Sequence, residues 1–441
     1  MSTTPCDLII EARWLLPIAP RNEVLEHAAM AVRDGRILAL GSPAELDARY
    51  RPASRVSLPQ HVLLPGLVNA HGHAAMTLLR GYAEDAPLQE WLQDKIWPLE
   101  ARLVDAAFVR TGTRLALAEM LRSGTTCFSD MYFFPEVVGE EARQAGMRCQ
   151  LAFPVIRFAN AWSTSAEDAV HRGLALHDAY RGNPLVRVAF GPHAAYSVTR
   201  EDLEKILMYS EELDANVHIH LHENAAEVEE VRRQERTTWV RRLSEIGLVN
   251  PRLQAVHATQ LDAEEIEILA AGGAHVVHCP HSNLKLVSGV CPTSALSHAG
   301  VNVALGTDGA ASNNCLDLLQ EARLASLLAK LDSGDARSLP EARALSMATL
   351  GGARALGREQ EIGSLEPGKL ADCIAVNLNH PRFQPVHDPM AQLVHTGAGS
   401  AVSHVWVGGR ALVNDGHLTS IDEAAVLADV AAWNQRLRSS A

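Results

Sequence analysis

The middle of the chain alternates short apolar runs with longer amphipathic stretches, and no other feature of the sequence restricts the fold as strongly. Stretches such as 105–124 and 201–215 have the apolar spacing of helices that cover a core. Strands and helices in alternation require right-handed crossovers and a parallel sheet. The apolar runs predict eight buried strands, at 62–69, 124–129, 147–155, 185–191, 216–222, 253–257, 274–279 and 301–307.

Eight such units fit a closed (β/α)8 barrel, the TIM-barrel type of α/β fold, better than an open doubly wound sheet. The two ends of the chain are instead rich in short strands, with Asp34-Gly35 and Gly408-Gly409 as hairpin turns. We therefore expect the termini to build one small composite β-sandwich domain. The predicted organisation is a β domain from residues 1–61 and 363–425, a barrel at 62–362 and a C-terminal helix or tail at 426–441.

Charge and cysteine content exclude several kinds of partner. The chain has 39 Lys and Arg against 52 Asp and Glu, a formal net charge of −13. An acidic surface repels phosphate backbones and anionic lipids, so we expect neither nucleic acid nor membrane as a partner. Seven scattered cysteines without a C-x-x-C pair indicate a reducing compartment, and we expect a cytoplasmic protein. Glu11 and Arg13 interrupt the first apolar stretch, which argues against a signal peptide.

Metal-ligand residue types stand where several predicted strands end, and the chain contains 20 histidines. Catalytic groups of a barrel lie at the carboxyl ends of its strands, so these side chains are expected to converge. The set predicts a divalent cation held by two or three imidazoles and one carboxylate, with zinc favoured and iron(II) or manganese as alternatives. By geometry alone, His222 competes with His220 as a ligand. The residues in question are His71 and His73 in the first strand region, His218, His220 and His222 in the fifth, His257 in the sixth and Asp308 in the eighth.

Glu223 follows the fifth strand directly and is a candidate for proton transfer. A carboxylate that does not bind the metal can take a proton from the attacking water and return it to the substrate. The alternative is that Glu223 simply begins the next helix as a first-turn acid.

Six segments together resemble the amidohydrolase superfamily, and more narrowly its 5'-methylthioadenosine/S-adenosylhomocysteine deaminase branch. The segment RGYAEDAPLQEWLQDKIWPLE (80–100) is the one that indicates the adenosine-type branch. The others are PGLVNAHGHAAMTLLRG (65–81), HIHLHE (218–223), AVHATQL (255–261), HCPHSNLKL (278–286) and ALGTDGAASNN (304–314).

The resemblance implies a role for each matching residue. As metal ligands it implies His71, His73, His220 and Asp308. Asp308 is also implied in catalysis, with Glu223 as the proton shuttle and His257 as a hydrogen-bond partner of the attacking hydroxide or of the developing tetrahedral centre. For substrate it implies Glu100 on the ribose hydroxyls, Ser312 on the purine, Trp91 in the pocket wall, and His193 and Arg157 as further contacts.

The implied activity is metal-dependent hydrolytic deamination of an adenosine-type nucleoside, foremost 5'-methylthioadenosine, with adenosine and S-adenosylhomocysteine as further substrates. The implied partner is thus a small nucleoside, and the resemblance also suggests a homo-oligomer. One alternative is a related hydrolase that acts on guanine or a chlorotriazine. Another is a barrel that binds nucleosides without catalysis. The segment PHAAYS (192–197) has no lysine at the end of the fourth strand, which argues against a two-metal site built on a carboxylated lysine.

Overall fold

The computed structural model describes residues 3–440 and contains two eight-stranded sheets. The strands within this range are β1 (Thr4–Leu15), β2 (Leu25–Arg33), β3 (Arg36–Gly41), β4 (Tyr50–Pro65), β5 (Leu67–Gly72), β6 (Thr125–Asp130), β7 (Arg148–Val155), β8 (Val186–Pro192), β9 (Val217–Leu221), β10 (Leu253–His257), β11 (His275–His278), β12 (Asn302–Leu305), β13 (Cys373–Asn377), β14 (Val402–Val407), β15 (Arg410–Asn414) and β16 (His417–Leu418).

Helices connect the barrel strands and close the C-terminal end of the chain. The α-helices are α1 (Pro43–Arg49), α2 (Leu88–Glu90), α3 (Trp97–Leu103), α4 (Ala106–Arg122), α5 (Pro135–Ala145), α6 (Ala166–Ala179), α7 (Arg200–Leu213), α8 (Ala225–Glu235), α9 (Trp239–Glu245), α10 (Ala263–Gly272), α11 (Pro280–Lys285), α12 (Thr293–His298), α13 (Ala310–Asn313), α14 (Leu318–Ser333), α15 (Glu341–Ser346), α16 (Gly352–Ala355), α17 (Pro389–His395) and α18 (Glu423–Ser440). Two π-helical turns (Trp91–Ile96 and Met347–Gly351) and four short 3₁₀ helices (Ala74–Leu79, Ala195–Ser197, Pro381–Phe383 and Ala398–Ala401) complete the set.

Strands β5 to β12 form an almost closed parallel barrel, in which each strand pairs with its neighbour along the chain. Polar contacts join the first strand to the segment after the last one. Thr307 donates its backbone N–H to Asn69 Oδ1 (3.0 Å), and Asp308 donates its own to the carbonyl of His71 (3.1 Å). The predicted (β/α)8 barrel is thus confirmed, and its closure brings the ends of β5 and β12 together.

The second sheet combines both ends of the chain in the order β16-β15-β14-β13-β4-β1-β2-β3. Both predicted hairpin turns are confirmed. Asp34-Gly35 joins β2 to β3 and Gly408-Gly409 joins β14 to β15, each with two positive φ angles. Two consecutive positive φ values give the type I′ turn that matches the twist of an antiparallel pair.

The predicted first barrel strand at 62–69 was wrong, because this apolar run contains parts of two strands. Val62–Pro65 ends β4 and pairs with β13, whereas the barrel strand begins at Leu67. A Cβ atom at Gly66, between them, would lie 2.1 Å from Thr126 Oγ1, so only glycine fits where the chain passes from one sheet to the other. Two consecutive buried strands are indistinguishable from one long strand by apolar content.

Within residues 3–440, no helix is both long enough and apolar enough to cross a bilayer.

Candidate active site

Two histidines at the end of β5 face a carboxylate across the barrel seam. The Nε2 atoms of His71 and His73 each lie 3.2 Å from Asp308 Oδ1. Asp308 follows β12 with a φ of 58°, and His71 is fully buried. A Cβ at Gly306 would lie 2.8 Å from His71 Cβ, so glycine at this position lets the β12 end approach the histidine.

His220 joins this group from the opposite side of the barrel. It lies on β9, and its Nε2 is 3.3 Å from His71 Nε2. The Nδ1 atoms of the three imidazoles are all occupied elsewhere: that of His71 by His218 Nε2 at 2.8 Å, that of His73 by the carbonyl of Met131 at 2.5 Å, and that of His220 by the carbonyl of His193 at 2.8 Å. Hydrogen bonds at Nδ1 orient histidine ligands so that Nε2 is left for a metal ion.

The two oxygens of Asp308 have different surroundings. Oδ1 faces the two histidines, whereas Oδ2 accepts hydrogen bonds from Ser282 Oγ (2.6 Å) and Ser312 Oγ (2.8 Å). Burial alone would raise the pKa of Asp308, but its contacts with the imidazoles of His71 and His73 lower it well below its ordinary value. The carboxylate therefore stays ionised, with one oxygen directed into the cluster.

This donor set fits a divalent cation. The nearest ligand atoms of His71, His73 and Asp308 lie within 4.8 Å of one another, and those of His71, His220 and His257 do as well. Burial and the neighbouring imidazoles lower the pKa of His220 well below its ordinary value, so its ring is neutral, the form that binds metals. Several imidazoles and one carboxylate oxygen in a buried site are a set that suits zinc.

His222 lies outside this cluster, although it alternates with His218 and His220 in the sequence. Strand β9 ends at Leu221, and His222 has a φ of 51°, so the chain leaves the strand direction there. Its Nδ1 donates to the carbonyl of Gln260 at 3.0 Å. His218 is buried behind His71, in the barrel interior.

Glu223 and His257 lie side by side next to the cluster. Glu223 Oε2 is 3.8 Å from His257 Nε2, and Ser288 Oγ is 3.4 Å from Glu223 Oε1. Burial, followed by the charge of Asp308, raises the pKa of Glu223 well above its ordinary value. The helix that follows takes Asn224 as its N-cap, so Glu223 precedes its first turn and points into the cavity instead.

His257 has one ring nitrogen fixed from behind. Asn283 Nδ2 donates to its Nδ1 at 3.0 Å, which leaves the hydrogen on Nε2, the atom that faces Glu223. An imidazole with a hydrogen on Nε2 is a donor at that atom. The arrangement therefore suits a hydrogen bond to a water or hydroxide beside the cluster.

A cavity of about 1050 Å³ opens above these groups and holds the predicted substrate residues. Trp91, which begins a π-helical turn, is buried and donates its Nε1–H to the carbonyl of Ala83 at 3.2 Å. The His193 ring lies 4.9 Å from that of His220, and the Arg157 guanidinium lies 4.6 Å from the ring centroid of Phe158. The predicted residues along its wall are Trp91, Glu100, Arg157, His193 and Ser312.

Glu100, on α3, has a partner that sequence reasoning missed. Tyr132 donates its hydroxyl to Glu100 Oε1 at 2.6 Å. Burial raises the pKa of Glu100 to about 7, against the lowering effect of this hydrogen bond. Tyr132 follows β6 by two residues, and its place after a barrel strand was the available signal.

Ser282 and Asn283 were also missed as individual residues, although they belong to the quoted segment HCPHSNLKL. They fix Asp308 and His257 by the hydrogen bonds described above. Ser312 donates its hydroxyl to Asp308, and its contact with a purine stays a prediction.

The third histidine group of the sequence, on and after β11, lies apart from the cluster. His281 Nδ1 is 2.8 Å from Glu321 Oε1, and His275 Nδ1 is 3.1 Å from Asn302 Nδ2. These contacts indicate a structural role for His275 and His281.

The amidohydrolase family matches residues 62–412 of the chain. A second match, to an imidazolonepropionase-like composite domain of bacteria, covers residues 28–53. The chain therefore belongs to the amidohydrolase family.

Within this family, the chain is similar over nearly its whole length to individual deaminases and to a chlorohydrolase. A protein of Teredinibacter turnerae named 5-methylthioadenosine/S-adenosylhomocysteine deaminase is 49% identical over 436 residues, which cover 99% of each chain. The crystal structure of an adenosine deaminase from Xanthomonas campestris with bound zinc has a TM-score of 0.98 at 46% identity, and covers 99% of this chain and 100% of that one. An atrazine chlorohydrolase from Arthrobacter aurescens complexed with zinc is more distant, with 25% identity and a TM-score of 0.90 over 97% of this chain and 99% of that one.

Proposed function

We propose that the protein is a metal-dependent hydrolase that deaminates adenosine-type nucleosides, foremost 5'-methylthioadenosine. Adenosine and S-adenosylhomocysteine are the further substrates of this proposal. The supporting observation is the near full-length similarity to the deaminase of Teredinibacter turnerae, joined to a cavity that contains both Glu223 and Glu100. The reaction consumes water and converts the 6-amino group to a 6-oxo group, with release of ammonia.

The proposed cofactor is one zinc ion held by His71, His73, His220 and Asp308. The converging Nε2 atoms and the inward Asp308 oxygen support this assignment, as does the zinc in the Xanthomonas campestris structure. When bound, such an ion supplies a nucleophile by lowering the pKa of a coordinated water to about 7.

Glu223 is the proposed proton shuttle. Its raised pKa strengthens its affinity for a proton, so that it can take one from the attacking water and deliver it to N1 of the purine, which makes C6 more electrophilic. His257, with its hydrogen on Nε2, stabilises the oxygen that adds to C6. Asp308 then assists transfer of the remaining hydrogen on that oxygen to the amino group, which leaves as ammonia while the oxygen becomes the 6-oxo group.

Glu100 is the proposed ribose ligand. A carboxylate accepts hydrogen bonds from both hydroxyls of a ribose, and Tyr132 fixes its orientation. Binding at a distance from the reacting carbon positions the purine over the nucleophile. Trp91, His193, Arg157 and Ser312 complete the proposed contacts around the nucleoside.

The substrate proposal is tested by steady-state kinetics of the zinc-loaded protein. The panel comprises 5'-methylthioadenosine, S-adenosylhomocysteine, adenosine, guanine and a chlorotriazine. We expect ammonia release and loss of adenine absorbance with the first three, and the highest kcat/KM with 5'-methylthioadenosine. Turnover of guanine or the chlorotriazine without turnover of any adenine nucleoside would overturn the proposal.

The compartment and the assembly state belong to the proposal as well. The structure leaves all seven cysteines as free thiols, six of them buried, which supports a reducing compartment such as the cytoplasm. We propose a homo-oligomer on the basis of the family, and light scattering on the purified protein measures its mass directly.

A further inference from the structure

A line of buried polar side chains runs from His71 into the barrel interior, away from the cavity. His71 Nδ1 lies 2.8 Å from His218 Nε2, and His218 Nδ1 lies 2.6 Å from Gln254 Oε1. Gln254 Nε2 lies 2.5 Å from the carbonyl oxygen of Ala355. His218 and Gln254 are both fully buried, so water does not compete for these contacts.

The carbonyl of Ala355, at the inner end of this line, determines which nitrogen of each side chain carries a hydrogen. A carbonyl oxygen only accepts, so Gln254 must direct its amide nitrogen at Ala355 and its amide oxygen at His218. That oxygen also only accepts, so the hydrogen of His218 sits on Nδ1. The Nε2 of a neutral His218 is then an acceptor, and His71 must donate from its Nδ1.

The consequence reaches the candidate metal site. With its hydrogen on Nδ1, His71 keeps the lone pair on Nε2, the atom that lies 3.2 Å from Asp308 Oδ1 and 3.3 Å from His220 Nε2. The alternative tautomer would place a hydrogen on Nε2 and block coordination there.

Gln150 donates a further hydrogen bond to the amide oxygen of Gln254. Its amide nitrogen lies 2.8 Å from Gln254 Oε1 and 2.9 Å from Ser129 Oγ. The oxygen of Gln254 is therefore held between two donors, and the amide is kept from turning over.

We infer that His218 and Gln254 are positioning residues, which set the tautomer and the ring orientation of His71 for metal binding. This inference rests on the metal site of the proposed function, but not on its substrate. Outer contacts of this kind orient histidine ligands, and their loss typically lowers metal affinity about 10- to 100-fold.

The test compares zinc affinity of the apo-protein and its variants by competition with a chromophoric chelator, with the Co²⁺ absorption spectrum as a second readout. His218→Leu removes the acceptor for His71, and we expect a 10- to 100-fold loss of zinc affinity and an altered Co²⁺ spectrum. His218→Gln presents an acceptor and a donor in place of the two ring nitrogens, and should restore most of the affinity.

His278→Leu is the matched control, because His278 is another buried barrel histidine, and its Nδ1 has no hydrogen-bond partner within residues 3–440. It should bind zinc like the unaltered protein. If His218→Leu does not fold, Gln254→Leu decides the question, since it removes the next acceptor in the line and should also weaken zinc binding.

A purely structural role for the line predicts a lower melting temperature with unchanged zinc affinity. Wild-type zinc affinity and an unaltered Co²⁺ spectrum in a folded His218→Leu or Gln254→Leu variant would therefore overturn the inference. Because no nucleoside is present, this outcome is independent of whether the protein deaminates 5'-methylthioadenosine.

Discussion

Glu223 combines burial with a place beside His257, and both determine what its carboxyl group does. The raised pKa strengthens the affinity of the carboxyl group for a proton, while the 3.8 Å distance to His257 Nε2 places the group next to the proposed site of attack. We expect Glu223→Gln to lower kcat for deamination about 10²- to 10⁴-fold, because the amide cannot shuttle a proton. Ammonia release measures the rate, and metal analysis should show unchanged zinc content.

Glu229→Gln serves as the control for this variant. Glu229 lies on the following helix, exposed to solvent, and its replacement should leave kcat unaltered. A Glu223→Gln variant with wild-type kcat would refute the role of Glu223 in proton transfer.

The buried carboxyl group of Glu100, the proposed ribose ligand, makes the folding stability depend on pH. Its pKa is about 7 in the folded protein against an ordinary value of 4.5. A raised carboxyl pKa means that the folded state holds its proton longer, so folding stability falls as pH rises from about 4.5 to about 7 and stays lowered above that. Glu100→Gln should therefore raise the melting temperature above pH 7, and raise it less below pH 4.5.

The same variant should bind ribonucleosides less well. Loss of charged hydrogen bonds to the hydroxyls predicts a fall in kcat/KM of about ten- to a hundredfold. A nucleoside without the 2' and 3' hydroxyls provides the control, since Glu100→Gln should change its kcat/KM little. An equal loss with both nucleosides would contradict ribose binding by Glu100.

At the scale of elements, strand β9 decides which of its neighbouring histidines reaches the cluster. His220 lies within the strand and points to His71, whereas His222 follows the strand end with a positive φ and bonds to Gln260. We expect His220→Ala to lose zinc binding, because it removes a proposed ligand. His222→Asn, whose amide can keep the bond to Gln260, should retain zinc.

Zinc titration followed by metal analysis after desalting distinguishes the two variants. Retention of zinc by His220→Ala together with loss by His222→Asn would reverse the assignment. Equal retention by both would remove β9 from the metal site.

At the scale of the whole molecule, one buried ion pair joins the barrel to the terminal sheet. Arg148, the first residue of β7, donates from Nε to Asp372 Oδ2 at 2.6 Å and from a terminal nitrogen to Oδ1 at 3.0 Å. Asp372 precedes β13 and also accepts the backbone N–H of Gly408. Both side chains are almost fully buried, at 4% and 1% exposure.

Removal of one partner leaves the other charge buried without compensation. We therefore expect Arg148→Ala to lower the free energy of unfolding by about 3–5 kcal/mol, measured by urea denaturation. The exposed pair of Arg181 with Asp178 offers the comparison, and Arg181→Ala should cost less than about 1 kcal/mol. Similar losses in the two variants would contradict a stabilising role for the buried pair.

The barrel was predictable because its signal is local and repeated. Parallel strands buried on both faces leave near-continuous apolar runs, and the intervening helices leave an amphipathic period. The prediction of one barrel strand at 62–69 was wrong for the same reason, since burial in two successive sheets produces one uninterrupted apolar pattern.

The sequence by itself determined the type of barrel, the residue types at the carboxyl ends of the barrel strands, and the composite terminal domain. Spacing within one strand could not separate His220 from His222, because the distinction depends on a backbone angle beyond the strand end. Tyr132 beside Glu100, Asn283 behind His257 and Gln254 behind His218 are likewise tertiary contacts. Only the tertiary fold brings such side chains within hydrogen-bond distance, because they lie 26 to 36 residues apart along the chain and a contact between them leaves no periodic trace in the sequence.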